Sequence, residues 1–117
     1  MRTLLNTRGS TGLEPSANAL IHRLERNLQD VGQLRNYLNS YSCEPQTYTD
    51  FKRIESLRNR LDTLGEVNRA IILSIREDKY PTKRYYEKVQ EQYSEFNALK
   101  RGVEAYMEEA RTKYVHH

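Results

Sequence analysis

Residues 54–75 read IESLRNRLDTLGEVNRAIILSI, and their apolar positions decide the fold. Ile54, Leu57, Leu61, Leu64, Asn68, Ile71 and Ile75 follow one another at gaps of three and four without a slip, with Asn68 standing where an apolar side chain is expected. An α-helix has about 3.6 residues per turn, so such gaps return every side chain to one face. The same pattern recurs on both sides. Before it run Ile21, Leu24, Leu28, Val31, Arg35 and Leu38. After it come Tyr86, Val89, Tyr93, Phe96, Lys100, Val103, Met107, Ala110 and Tyr114. Each stripe carries one polar interruption: Arg35, Asn68 and Lys100.

When the first residue of each stripe is called a and the next d, position g holds further apolar side chains. These are Leu20, Leu34 and Tyr41 in the first segment, Val67 in the second, and Tyr85, Leu99 and Tyr106 in the third. A stripe widened in this way touches two neighbours at once, whereas a two-stranded coiled coil needs only the narrow seam. The expected fold is therefore all-α, an antiparallel three-helix bundle with coiled-coil-like packing. A dimeric four-helix assembly is the competing arrangement, because the second and third segments are longer than the first.

Punctuation sets the boundaries. Residues 1–15, with Gly9, Ser10, Thr11 and Gly12, read as a flexible N-terminal leader. Ser16 suits the N-cap of the first helix, since its hydroxyl can accept an orphan amide of the first turn. Thr47 and Asp50 stand at the capping-box interval, and Pro81 fits the first turn of the third helix. The helices are expected near 16–40, 47–78 and 81–114, inside one domain spanning 16–114. Residues 115–117 form a C-terminal tail whose His116-His117 reads as a tag remnant and is set aside from metal arguments. Gly32, Gly65 and Gly102 fall inside helices, where glycine costs roughly 0.5–1 kcal/mol relative to alanine. Antiparallel winding brings Gly32 level with Gly102, so the pair marks either a close backbone approach or glycines merely tolerated on a solvent face.

Composition narrows the function classes. The 117 residues are 37% hydrophobic and 30% charged, as expected when each helix buries one side in a single core. No long apolar run suggests a membrane span, and Leu4-Leu5 alone do not make a secretory signal. A single cysteine, Cys43, makes no internal disulfide, so an intracellular, cytoplasmic protein is expected. The net charge is +3 and the pI about 9.0, but 19 basic side chains interleave with 16 acidic ones. The one local excess is at Arg76, Lys79, Lys83, Arg84 and Lys88, which Glu77, Asp78 and Glu87 reduce to +2. Tracking phosphates needs several unopposed cations, so nucleic acid is disfavoured as a partner; peripheral membrane contact and homo-oligomerisation stay open.

Catalytic constellations are missing. With turns near residues 44 and 80, Arg35 lies level with Glu55 and Glu104, Asn68 with His22 and Gln92, and Lys100 with Arg60 and Val31. Spread in this way, the polar interruptions do not gather into one layer, and structural roles are expected for them: an ion pair for Arg35, a hydrogen bond between Asn68 and His22, and a snorkelling Lys100. His22 and Cys43 are the only His and Cys before the terminal pair, so no metal site is expected. The ladder Glu87, Glu91, Glu95 has the spacing of a solvated helix face. Cys43 falls in a loop with no adjacent His or Lys to activate it as a nucleophile. The sequence thus points to a protein that is not an enzyme and carries no cofactor.

The nine tyrosines are the remaining peculiarity. Tyr37, Tyr48 and Tyr80 fall off the stripes, and Leu73 lies at position f. Where the second helix hands over to the third, Ile72, Leu73, Tyr80 and Tyr85 are expected to form an apolar centre rimmed by Arg76, Lys79, Lys83 and Arg84. Such patches mark partner surfaces. The expected partner is another protein, met through an acidic amphipathic helix. In shape, over residues 16–114, the architecture is similar to the Habc-type N-terminal domains of syntaxin-like membrane-fusion proteins, which implies a regulatory or tether-binding role in vesicle traffic. It is also similar to a spectrin-type repeat, although the tryptophan that such repeats commonly bury is absent. The leading expectation is a non-catalytic interaction module serving as adaptor, regulatory or assembly subunit. An Habc-like regulatory domain is the first alternative and a basic helical nucleic-acid-binding domain the second.

Overall fold

The computed structural model describes residues 16–115, with side chains to Thr112. The described residues form three α-helices, α1 (Ala17–Leu38), α2 (Tyr48–Arg76) and α3 (Thr82–Val115), with a short 3₁₀ turn at Tyr41–Cys43. They pack as an antiparallel three-helix bundle measuring 65 × 24 × 17 Å, each helix touching the other two. The expected leader lies outside the described residues, as do His116 and His117; Val115 belongs to α3 rather than to a tail. Among the described residues no helix is long and apolar enough to cross a membrane.

The ends follow from local chemistry. Ser16 Oγ accepts from the Ala19 amide at 3.2 Å, and Thr47 Oγ1 accepts from the Asp50 amide at 3.0 Å, so both expected N-caps form. Pro81 precedes α3 rather than joining it; its carbonyl accepts from the Arg84 amide at 3.0 Å. Helix α2 closes with Asp78 in the left-handed region at φ 54°. The Asp78 amide reaches the Ile75 carbonyl at 3.0 Å and the Lys79 amide reaches Ser74 at 3.4 Å, the paired bonds of a Schellman motif with aspartate where glycine is usual.

Helix α2 buries its a and d residues as read from the sequence, but its flanking buried positions are Gly65 and Ile72, while Val67 is exposed. Helices α1 and α3 are rotated relative to expectation. Their deepest residues lie at d and g: Leu20, Leu24, Asn27, Val31, Leu34 and Leu38 in α1, and Tyr85, Val89, Phe96, Leu99, Val103 and Tyr106 in α3. The a residues Ile21, Leu28, Tyr86 and Tyr93 are only partly buried, and Lys100 is exposed. The rotation has a simple cause: a helix contacting two neighbours centres its buried face between them, and in α1 and α3 the wider apolar arc extends toward g. Tyr41, expected at g, is also exposed, since the 3₁₀ turn replaces the last helical turn there.

The glycines serve no shared approach. A Cβ on Gly32 would meet nothing within 4 Å, whereas one on Gly102 would sit 3.1 Å from Leu57 Cδ2. Of the two, only Gly102 stands where an added methyl would press on a neighbouring helix, against the Leu57 side chain of α2.

Candidate functional site

The stripe interruptions Arg35, Asn68 and Lys100 stay apart, as the sequence implies, but Asn68 meets polar side chains from outside the stripes. Asn27 of α1, Asn68 of α2 and Gln92 of α3 form one layer across the bundle. Asn68 Nδ2 donates to Asn27 Oδ1 at 2.9 Å, and Gln92 Nε2 donates to Asn68 Oδ1 at 2.6 Å and to the Leu64 carbonyl at 3.2 Å. Asn27 and Asn68 are 1% and 0% exposed, and Asn27 Nδ2 finds no partner. A buried donor without an acceptor carries a desolvation cost of about 1–3 kcal/mol. Asn27 takes the place expected of His22, which is exposed on the surface beside Glu25. The connection from α1 to α2 sets that offset, because its 3₁₀ turn moves the apex toward Thr47. Arg35 accordingly pairs with Asp62, at 2.9 Å, and not with Glu55 or Glu104. That hydrogen bond raises the Arg35 pKa.

The layer separates two apolar clusters. One holds Leu34, Leu38, Ile54, Leu61, Phe96 and Leu99 among others; the second holds Leu20, Leu24, Ile71, Ile72, Ile75, Tyr85 and Val89. Cys43, expected in a loop, lies 1% exposed inside the first cluster, and its carbonyl accepts from the Tyr106 hydroxyl at 2.8 Å. Burial raises the Tyr106 pKa above its ordinary value.

Beyond the second cluster lies the α2–α3 turn, the expected partner surface. Two of its expected residues belong to the core: Ile72 is 6% exposed and Tyr85 5%. Ile72 sits at the flank of α2's buried face, and Tyr85 at the centre of α3's. The Tyr85 hydroxyl organises the turn from within, accepting from the Lys79 amide at 3.1 Å and the Tyr80 amide at 3.0 Å while donating to the Ser74 carbonyl at 2.9 Å. Leu73 and Tyr80 remain exposed, at 57% and 45%. Arg84 stacks over the Tyr80 ring at 4.3 Å, and Tyr85 meets the same ring edge-on at 6.0 Å. Arg76 pairs with Glu25 and Lys79 with Glu77; the latter bond raises the Lys79 pKa. Lys83 enters no ion pair among the described residues.

Sequence reasoning missed Asn27 and the hydrogen-bonding role of Tyr85. It also gives no role to Phe51, which is 47% exposed in the first turns of α2. The grooves between helices are open to solvent; the one between α2 and α3 is lined by Arg60, Thr63, Leu64, Val67 and Gln92. No group of three His, Cys, Asp or Glu side chains that could hold a metal occurs among the described residues. Comparison with protein families, curated proteins and solved structures finds no match for the chain.

Proposed function

We propose that this chain is a non-catalytic helical protein-interaction module, acting as an adaptor, regulatory or assembly subunit. The observation that carries the reading is the apolar surface left over once the core has closed. Seven large apolar side chains stay exposed among the described residues, and four of them, Tyr48, Phe51, Val67 and Leu73, stand on α2. Tyr37, Tyr41 and Tyr80 complete the set. Tyrosine and phenylalanine are enriched where protein partners bury surface. The potential chemical groups support a non-catalytic role by their separation: His22 is exposed on the half that contains the α2–α3 turn, while Cys43 is buried in the other. A nucleophile and a base so placed cannot share a proton.

Purification of the untagged chain from its native cell tests the reading. A protein is expected to co-elute at fixed stoichiometry, and Leu73→Asp with Tyr80→Ala is expected to leave helicity and melting nearly unchanged while weakening that complex by about 2 kcal/mol or more. Co-elution with nucleic acid or lipid alone would overturn the proposal.

A further inference from the structure

The polar layer also divides the charge. Residues 16–29 and 67–91, on the α2–α3 turn side, carry eight basic and five acidic side chains, a net +3. Residues 30–66 and 92–115, on the other side, carry nine basic and ten acidic, a net −1. Ion pairing sharpens the contrast. Among the described residues nine cations enter no ion pair, and six of them, Arg23, Arg26, Arg69, Lys83, Arg84 and Lys88, belong to the basic half. The first turn of α3 contains no acidic residue and two basic ones, Lys83 and Arg84, although a helix N-terminus itself bears partial positive charge. Like charges are thus concentrated where Tyr80 is exposed and Arg84 covers its ring.

We infer that the basic end docks an acidic, amphipathic helix of another protein; this rests on the interaction-module reading above and names its partner class. Tyr80 and Leu73 supply apolar anchors, and Lys83 and Arg84 supply counter-charges for carboxylates flanking the partner's apolar face. Arg84 can leave the Tyr80 ring for a carboxylate, which uncovers the ring at the moment a charge-assisted bond forms. Tyr85 is a positioning residue: its hydroxyl fixes the Lys79 and Tyr80 amides, so the anchor is presented by an ordered turn. Glu77, Asp78, Glu87 and Glu91 interrupt the basic surface and would repel a continuous phosphate backbone, whereas carboxylates spaced along a helix can avoid them. Residues 1–15, with Arg2 and Arg8 against Glu14, have the wrong sign to be the occupant.

The test uses the full chain and three synthetic amphipathic helices of about 18 residues, identical on their leucine face and flanked by glutamate, glutamine or lysine. Fluorescence anisotropy is expected to show the glutamate peptide binding about tenfold or more tighter than the lysine peptide. Lys83→Glu with Arg84→Glu should reverse that order. Those acids favour a helix N-terminus, so the variant should keep its fold, and circular dichroism checks it. Binding that ignores the flanking charge yet weakens with Leu73→Asp and Tyr80→Ala would overturn the acidic partner and leave the interaction module standing. Failure of all three peptides to bind would overturn both for this surface. Tighter binding to duplex DNA or phosphatidylserine vesicles would reassign the basic end to a polyanion. A mass that rises with concentration in sedimentation, and falls back in Arg84→Glu, would reassign it to a second copy of the chain.

Discussion

Among the described residues, twelve buried side chains form the core on the acidic side of the Asn27–Asn68–Gln92 layer and seven form it on the basic side. Hydrophobic stabilisation scales with apolar area removed from water, so the larger cluster holds most of the bundle's cohesion. The smaller cluster relies more on individual hydrogen bonds, above all those of Tyr85, and ends in a non-glycine residue at positive φ. The half bearing the proposed docking surface is therefore also the half with less holding it together. Local opening free energies vary within a structure in this manner, and recognition segments are drawn from the lower end.

The largest expected effects test whether the halves are separate. Leu61→Ala and Leu24→Ala should each cost about 2–5 kcal/mol in urea unfolding, with melting independent of protein concentration. Leu24→Ala should raise hydrogen exchange chiefly at residues 71–75 and 85–89. Equal acceleration at 96–103 would mean that the layer does not divide the bundle.

A second experiment acts on the divider itself. Asn68→Leu alone strands Asn27, whose oxygen and nitrogen then both lack partners, and should destabilise by about 1–3 kcal/mol. Adding Asn27→Leu should recover most of that loss and join the two clusters, since replacing both partners removes the unpaired amides. A double-mutant cycle gives the coupling directly; additive losses would show that the Asn27–Asn68 bond contributes little.

Smaller changes probe the basic half alone. Tyr85→Phe removes four hydrogen bonds from one turn and should cost about 1–2 kcal/mol, read as faster exchange at the Lys79 and Tyr80 amides with protection at Leu61 unchanged. Asp78→Gly relieves a left-handed backbone that costs a non-glycine residue about 1 kcal/mol, and should raise the melting temperature slightly. A lowered melting temperature would show that the Asp78 side chain contributes more than its backbone costs.

The sequence made the bundle legible because α2 repeats its apolar spacing without interruption and because Ser16 and Thr47 are unambiguous caps. Helix limits follow to within two residues. Rotation of α1 and α3 about their axes was less legible. Tyr85-Tyr86 and Gln92-Tyr93 place similar bulk on adjacent positions, and only packing against two neighbours decides which member turns inward. Asn27 escaped notice for a related reason. It lies at g between Leu24 and Leu28, and its role as a core residue depends on which side chains the α1–α2 connection brings level with it. That connection has its own 3₁₀ turn, so a register counted from a tight turn placed His22 opposite Asn68. The second turn is short, so the spacing alone brings Gln92 level with Asn68, where the two are hydrogen-bonded. At the candidate surface, Ile72 is buried because the inner face of α2 widens on the side of Gly65 and Ile72 rather than toward Val67, and Tyr85 because the inner face of α3 takes in its g positions.

Unequal charge on the two halves of a 65 Å rod gives the molecule a permanent electric dipole along its length. An approaching anionic partner exerts a torque on that dipole before any atoms touch, turning the Tyr80 end forward, so productive encounters should outnumber those expected for random orientation. The alignment acts over roughly a Debye length, about 8–10 Å at physiological salt, and fades as salt is added. Steering of this kind governs how fast the first contact is made rather than how long it lasts.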